Sequence, residues 1–229
     1  MLDNLTTATR VDNVIAARRM LDHPFYQAWT AGELSREVLK EYAKQYFHHV
    51  EAFPRAVSAT HANCPDREGR RMLAENLAEE EGLEAGKTDH PELWMQFARG
   101  LGASDAEVEG VALNAETRAL IAAFQTESRA SYARGLGALY AYETQIPEVA
   151  RQKIDGCKKF YAMTDEDELR FFTVHEVADV EHAEVCRQLL DRLSPEESIE
   201  AEAGAAALSE ALLGFLDGVS REAGVAGRC

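Results

Sequence analysis

Cysteine is scarce here and badly spaced for chemistry. Cys64, Cys157, Cys186 and Cys229 are scattered through 229 residues with no CxxC pair, so neither a zinc knuckle nor a thioredoxin-type redox pair is expected, and buried free thiols are the default. Long apolar runs are also missing. No stretch of about 18 apolar residues occurs, which excludes a helical membrane span. The opening MLDNLTTATRVDNVIAARRM lacks the basic start and continuous apolar segment of a secretory signal, and a cytoplasmic protein is expected. Positive charge is in deficit, with 24 Lys and Arg against 40 Asp and Glu and a net charge of −16. The summed field repels polyanions, so no nucleic-acid partner and no anionic membrane partner is expected. Alternating β-branched runs, internal repeats and low-complexity linkers are few or absent, which leaves no basis for a sheet or for a divided chain.

What remains is helical periodicity. Apolar residues recur at three- and four-residue spacing almost throughout, and 46% of residues are hydrophobic, enough for one all-α domain with a sizeable core. A first helix is expected over roughly 4–22, ending before His23-Pro24 because the residue before proline avoids helical geometry. A long helix from about Ser35 to Asn63 contains Pro54, which should kink it. Asp66 reads as the N-cap of a helix reaching about Glu84, and Pro91 as the first position of the next. Helices covering roughly 105–145 are expected to break near Gly135 and Gly137, and Pro147 opens another. Thr164 or Asp165 is expected to cap a helix running to about Leu193. Residues 1–195 form the main unit in this reading. Residues 196–229 then add a C-terminal amphipathic helix that packs on its outside, with REAGVAGRC as a fraying tail.

One helix carries polar groups where hydrophobes belong. In HEVADVEH, His175, Asp179 and His182 fall at i, i+4 and i+7, within a sector of about 60°. Phe171, Ala178, Cys186 and Leu189 share that stripe, so the trio faces inward. Burying a carboxylate and two imidazoles without partners costs several kcal/mol. A divalent metal would compensate them directly. A closed hydrogen-bond network among core histidines and Asp179 is the alternative. Further acids sharpen the choice. The face of Leu73, Leu77 and Glu84 turns Glu80 inward, with Glu81 a close competitor; His90 starts the next helix, and Glu143 lies among apolar and aromatic neighbours. Glu80, His90, Glu143, His175, Asp179 and His182 together offer enough nitrogen and oxygen donors for two iron-like ions. No ExxH motif occurs at these positions, which argues against a ferritin-like bundle.

The ordered motifs HPFYQAW, YAKQYFHHVEAFPRAVSATHANC, ENLAEEE, HPELW, YAYETQIPEVARQKIDG and HEVADVEH resemble the family named for the Chlamydia protein associating with death domains, over roughly residues 10–195. The resemblance implies a heme-oxygenase-like seven-helix bundle, here with an added C-terminal helix, related to pyrroloquinoline-quinone synthase and to thiaminase-type proteins. It implies a dinuclear centre, Fe/Fe or Mn/Fe, on the same six residues. It also implies p-aminobenzoate formation for folate biosynthesis, driven by molecular oxygen and an external reductant, with the electron donor unspecified. Tyr26 would be the sacrificed ring, Lys153 the amino donor, and Tyr42 a further tyrosine lining the site. The loop between Glu80 and His90 is longer than the family leads one to expect, which leaves Glu80 and Glu81 both open. A homodimer is common in related folds.

Competing readings remain. The same metal pair could serve a diffusible substrate. The family name suggests a protein-binding role, for which no residue here specifies an interface. A thiaminase-type mechanism would need a nucleophilic cysteine, with Cys186 the candidate. His49, sharing a face with Tyr42, Tyr46 and Phe53, is expected to line the cavity as a core residue and not to bind metal.

Overall fold

The computed structural model describes residues 5–225 together with 227 and 228. Eleven α-helices, and no strand among the described residues, follow in order: α1 Thr7–Ala16, α2 Pro24–Ala31, α3 Arg36–Asn63, α4 Arg67–Glu80, α5 His90–Gly100, α6 Asp105–Glu109, α7 Ala115–Ala130, α8 Tyr132–Glu143, α9 Ile146–Phe160, α10 Arg170–Leu190 and α11 Pro195–Ala223. Local chemistry explains most starts. Ser35, Asp66 and Asp89 each accept a backbone N–H with their side chains at the heads of α3, α4 and α5, and Ser194 with Glu197 forms a capping box on α11. Pro24, Pro91, Pro147 and Pro195 occupy first turns, where a missing N–H costs nothing. Pro54 sits inside α3, which continues through it. No helix among the described residues is long and apolar enough to cross a membrane.

Several expected boundaries are corrected. The helix expected over 4–22, whose first position lies outside the described residues, stops at Ala16 and resumes only as a 3₁₀ turn, Met20–Asp22. Gln145 accepts the Met20 N–H at 2.8 Å, so a long-range hydrogen bond wins over local helix propensity. The expected helix to Glu84 ends at Glu80, where Gly82 turns the chain with φ +61°. The break expected near Gly135 and Gly137 falls at Ser131, whose hydroxyl accepts the Arg134 N–H to start α8. The glycines serve packing instead. A Cβ on Gly137 would collide with the Ala201 carbonyl, and one on Gly204 with the Arg134 carbonyl, so α8 and α11 cross with their backbones nearly touching. Neither Thr164 nor Asp165 caps α10. Asp165 instead accepts the Asp167 N–H at 2.8 Å in a separate turn, and α10 begins at Arg170.

The largest correction concerns α11. It does not lie on the outside, because Leu208, Leu212 and Leu216 are fully buried and Phe215 packs its ring 5.8 Å from Tyr42 and 5.4 Å from Tyr46. Each such leucine contributes about 1.5–3 kcal/mol through burial. The small residues along α11 let it approach α8 closely enough to become part of the core. The tail is also tied down, since Arg228 donates to Asp217 from its backbone N–H and from Nε, both at 2.8 Å. Cys229 lies outside the described residues.

Candidate metal centre

α10 brings His175, Asp179 and His182 into the interior, all buried, and three other helices meet them. α4 ends on Glu80, the Asp89 cap starts α5 on His90, and α8 ends on Glu143. Helix ends deliver these three because a terminal side chain can reach into the gap between helices without displacing a packed ridge. Glu80 is buried and Glu81 is exposed, so Glu80 is the one brought to the cluster.

Glu80, His90 and His175 each offer a donor atom, and these atoms lie within 4.8 Å of one another. Glu80 Oε2 is 2.7 Å from His90 Nδ1, yet that nitrogen has no hydrogen-bond partner. The two atoms are close but misaligned, as expected of donors aimed at a common point. His175 donates Nδ1–H to the Phe171 carbonyl at 2.7 Å, which leaves its Nε2 lone pair free. Asp179 Oδ1 stands 3.3 Å from His182 Nδ1, while Asp179 Oδ2 and His182 Nδ1 are both buried without a hydrogen-bond partner. His182 Nε2 lies 2.8 Å from Glu79. Glu143 accepts from Asn76 Nδ2 at 2.7 Å and from the Cys186 thiol at 3.2 Å.

The electrostatics agree with the geometry. Burial pushes Glu80 up to about 7 and raises Asp179 and Glu143, while it pushes His90 down to about 4 and lowers His175. Burial also opposes the His182 cation, but Asp179, Glu143 and Glu79 outweigh it and lift this group to about 9. Apart from His182, acids that resist ionisation stand beside imidazoles that resist protonation, an arrangement that a divalent cation would compensate. The closed hydrogen-bond network weighed from sequence is not formed, given the three partnerless buried atoms.

Tyr26, Tyr42 and Lys153 gather nearby in a buried pocket, 1%, 0% and 4% exposed. Lys153 Nζ donates to the Tyr42 hydroxyl at 2.6 Å, and the Tyr42 and Tyr26 hydroxyls are 3.1 Å apart. The ammonium position sits 4.9 Å from the centroids of both tyrosine rings. Among the described residues no carboxylate pairs with it, and burial pushes Lys153 down to about 7. Tyr42 stacks on Tyr46 at 5.4 Å, Tyr46 meets Trp94 at 4.6 Å, Trp94 meets Phe171 at 4.7 Å, and Phe171 stacks on His175 at 4.0 Å. Contiguous aromatic rings thus join the pocket to the carboxylate cluster.

His49 stacks on Phe124 at 4.9 Å with both ring nitrogens unpartnered, and burial pushes it down to about 3, so it is a neutral core side chain. The Cys186 thiol is held well above its usual value by burial and by Glu143, the opposite of what a nucleophile needs. Sequence reasoning missed Asn76 and Glu79. Asn76 was findable, since it precedes Glu80 by four positions on the same helical face. Glu79, on the partly solvated flank of an acidic run, carried no signal. A cavity of 770 Å³ opens over His90 and Glu79, walled also by Lys87, Thr173 and Glu181.

Residues 40–214 match a family described as iron-containing redox enzymes. A curated protein of Chlamydia muridarum named 4-aminobenzoate synthase is 39% identical over 91% of this chain and 87% of its own length. Another of that name, from Nitrosomonas europaea, is 40% identical over 93% of this chain and 91% of its own. A solved structure from Shewanella denitrificans, described as having a heme oxygenase-like fold, superposes with a TM-score of 0.71 at 18% identity, covering 94% of this chain and 89% of that one. With the fold, the family match and both relatives in agreement, the chain belongs to the iron-containing redox enzymes of heme-oxygenase-like fold, in the branch that contains the 4-aminobenzoate synthases.

Proposed function

We propose that this protein forms p-aminobenzoate for folate biosynthesis by consuming itself once, with Tyr26 as the source of the ring and Lys153 as the source of nitrogen. The observation that carries this reading is the buried Lys153–Tyr42–Tyr26 chain, with hydrogen-bond distances of 2.6 and 3.1 Å. The tyrosine carbons bearing the hydroxyl and the side chain are para to one another, as are the amine and carboxyl of the product. Oxygen and an external reductant are the co-reactants.

The residues divide the work. Lys153 needs a free lone pair to form a C–N bond at the ring carbon that loses its oxygen as water, and burial favours it by bringing the amine to about 7. Release of the product then breaks the Tyr26 Cα–Cβ bond and the Lys153 Cε–Nζ bond, with molecular oxygen as the oxidant. Tyr42 accepts the Lys153 hydrogen, which leaves its own proton free to be donated to the Tyr26 oxygen. Phe25, Trp29 and Phe172, all buried, exclude water from the reacting groups. The convergent donors and partnerless buried atoms fit two metal ions, iron in both positions or manganese beside iron. Glu80, His90 and His175 would hold one, and Asp179, His182 and Glu143 would complete the set. Such a pair, when bound, supplies the activation of oxygen that oxidation of a phenol requires.

The test needs no added substrate. Pure protein given ferrous iron, reductant and oxygen should yield p-aminobenzoate to at most one equivalent per chain. Unchanged yields from both Tyr26→Phe and Lys153→Arg would refute the assignment. A second reading, turnover of a diffusible substrate, draws support from the cavity over His90. It predicts no product under these conditions.

A further inference from the structure

Glu79 and Glu80 are consecutive, yet their side chains are 34% and 4% exposed, with Glu80 in the interior and Glu79 on the wall of the open cavity. Glu79 is nevertheless tied inward, its Oε2 lying 2.8 Å from His182 Nε2. The two atoms are close without hydrogen-bond alignment, and the carboxylate charge beside Nε2 favours the hydrogen on that nitrogen. The other nitrogen, Nδ1, then faces the interior, 3.3 Å from Asp179 Oδ1 and without an aligned partner.

His175, seven positions earlier on the same helix, has the opposite arrangement. Its Nδ1–H is donated to its own helix, at the Phe171 carbonyl, and Nε2 is the free nitrogen. His182 lies toward the solvated edge, 8% exposed against 3% for His175, and its outward nitrogen reaches across to a side chain of α4. A charged acceptor is tolerable there because Glu79 keeps contact with water.

We propose that Glu79 is a positioning residue for the second metal ion: its carboxylate, set against Nε2, favours the Nε2–H form of His182 and so leaves Nδ1 beside Asp179 as a ligand. This rests on the dimetal reading above. Metal-bound histidines commonly donate their other N–H to a carboxylate, and losing that partner weakens binding about 10- to 100-fold. The effect should be confined to one of the two ions, because Glu80, His90 and His175 make no contact that Glu79 sustains.

Anaerobic titration of metal-free protein with ferrous iron, in competition with a chromophoric chelator, reads each equivalent separately. The native chain should bind two. Glu79→Ala should bind one with unchanged affinity and the other about 10- to 100-fold more weakly. Glu79→Gln, whose amide oxygen still accepts from Nε2, should recover most of that loss, whereas Glu81→Ala, on the exposed neighbour, should match the native chain. Two equivalents bound undiminished by Glu79→Ala would overturn the inference while leaving the dimetal reading intact. Equal weakening of both ions, or no recovery with Gln, would also overturn it by showing a general structural effect. A native chain that fails to take up two ions would remove the dimetal reading itself, and this inference with it.

Discussion

Two halves of one interior handle buried ionisable groups in opposite ways. The Tyr26 and Tyr42 hydroxyls and the Lys153 amine are hydrogen-bonded in a chain, and burial brings the titration of Lys153 down to about 7. In the other half donor atoms of Glu80, His90 and His175 converge, and His90 Nδ1, Asp179 Oδ2 and His182 Nδ1 stay unpaired. Unpaired buried polar atoms each cost about 1–3 kcal/mol, a cost that the cations of the proposed function would offset. The first half closes its hydrogen bonds within the protein; the second leaves donor atoms that, in the proposed function, would receive cations. In the proposed function that contrast corresponds to a part of the site that reacts and a part that would hold the cations.

The largest expected effect breaks the reactive half. Tyr26→Phe should abolish p-aminobenzoate formation while leaving ferrous binding at two equivalents, as read by product chromatography and metal titration on the same samples. Next comes the half proposed to bind cations. Saturating ferrous iron, at about a hundred times its dissociation constant, should stabilise the native chain by about 2.7 kcal/mol per ion against denaturant. His175→Ala should lose at least half of that gain, and addition of a chelator should return the native chain to its metal-free midpoint.

Lys153 gives the pH signature. Its folded value of about 7 lies below the unfolded 10.5, so between these limits the unfolded chain binds the extra proton. Stability of the metal-free protein therefore rises with pH across that window, at about 1.4 kcal/mol per pH unit for this group, and the penalty is complete below pH 7. Lys153→Met should flatten that slope in urea melts taken from pH 7 to 10.5. Product yield should likewise climb as pH rises through about 7. The smallest effect sharpens the comparison by contrast: Glu81→Ala should change stability by less than about 0.5 kcal/mol and leave product yield unaltered.

The helical class and the inward trio on α10 were legible because both rest on one helix's periodicity, which sequence spacing encodes directly. Glu80 against Glu81 was not decidable, since adjacent positions near a helix end differ by a rotation that only packing fixes. The place of α11 was misread for a related reason. Its alanines and glycines look like a weak, external face, and only the close crossing at Gly137 and Gly204 shows that small size is what admits it to the core. Hydrogen bonds between distant segments left no trace in spacing either, as the Gln145 contact to Met20 and the Asn76 contact to Glu143 illustrate.

The most direct measurement follows the atoms. Protein produced with ring-¹³C tyrosine and side-chain ¹⁵N lysine, then given unlabelled ferrous iron, reductant and oxygen, should release p-aminobenzoate carrying both isotopes, and the spent chain should be altered at Tyr26 and Lys153. Product free of either label, or repeated turnover with both residues intact, would contradict the account.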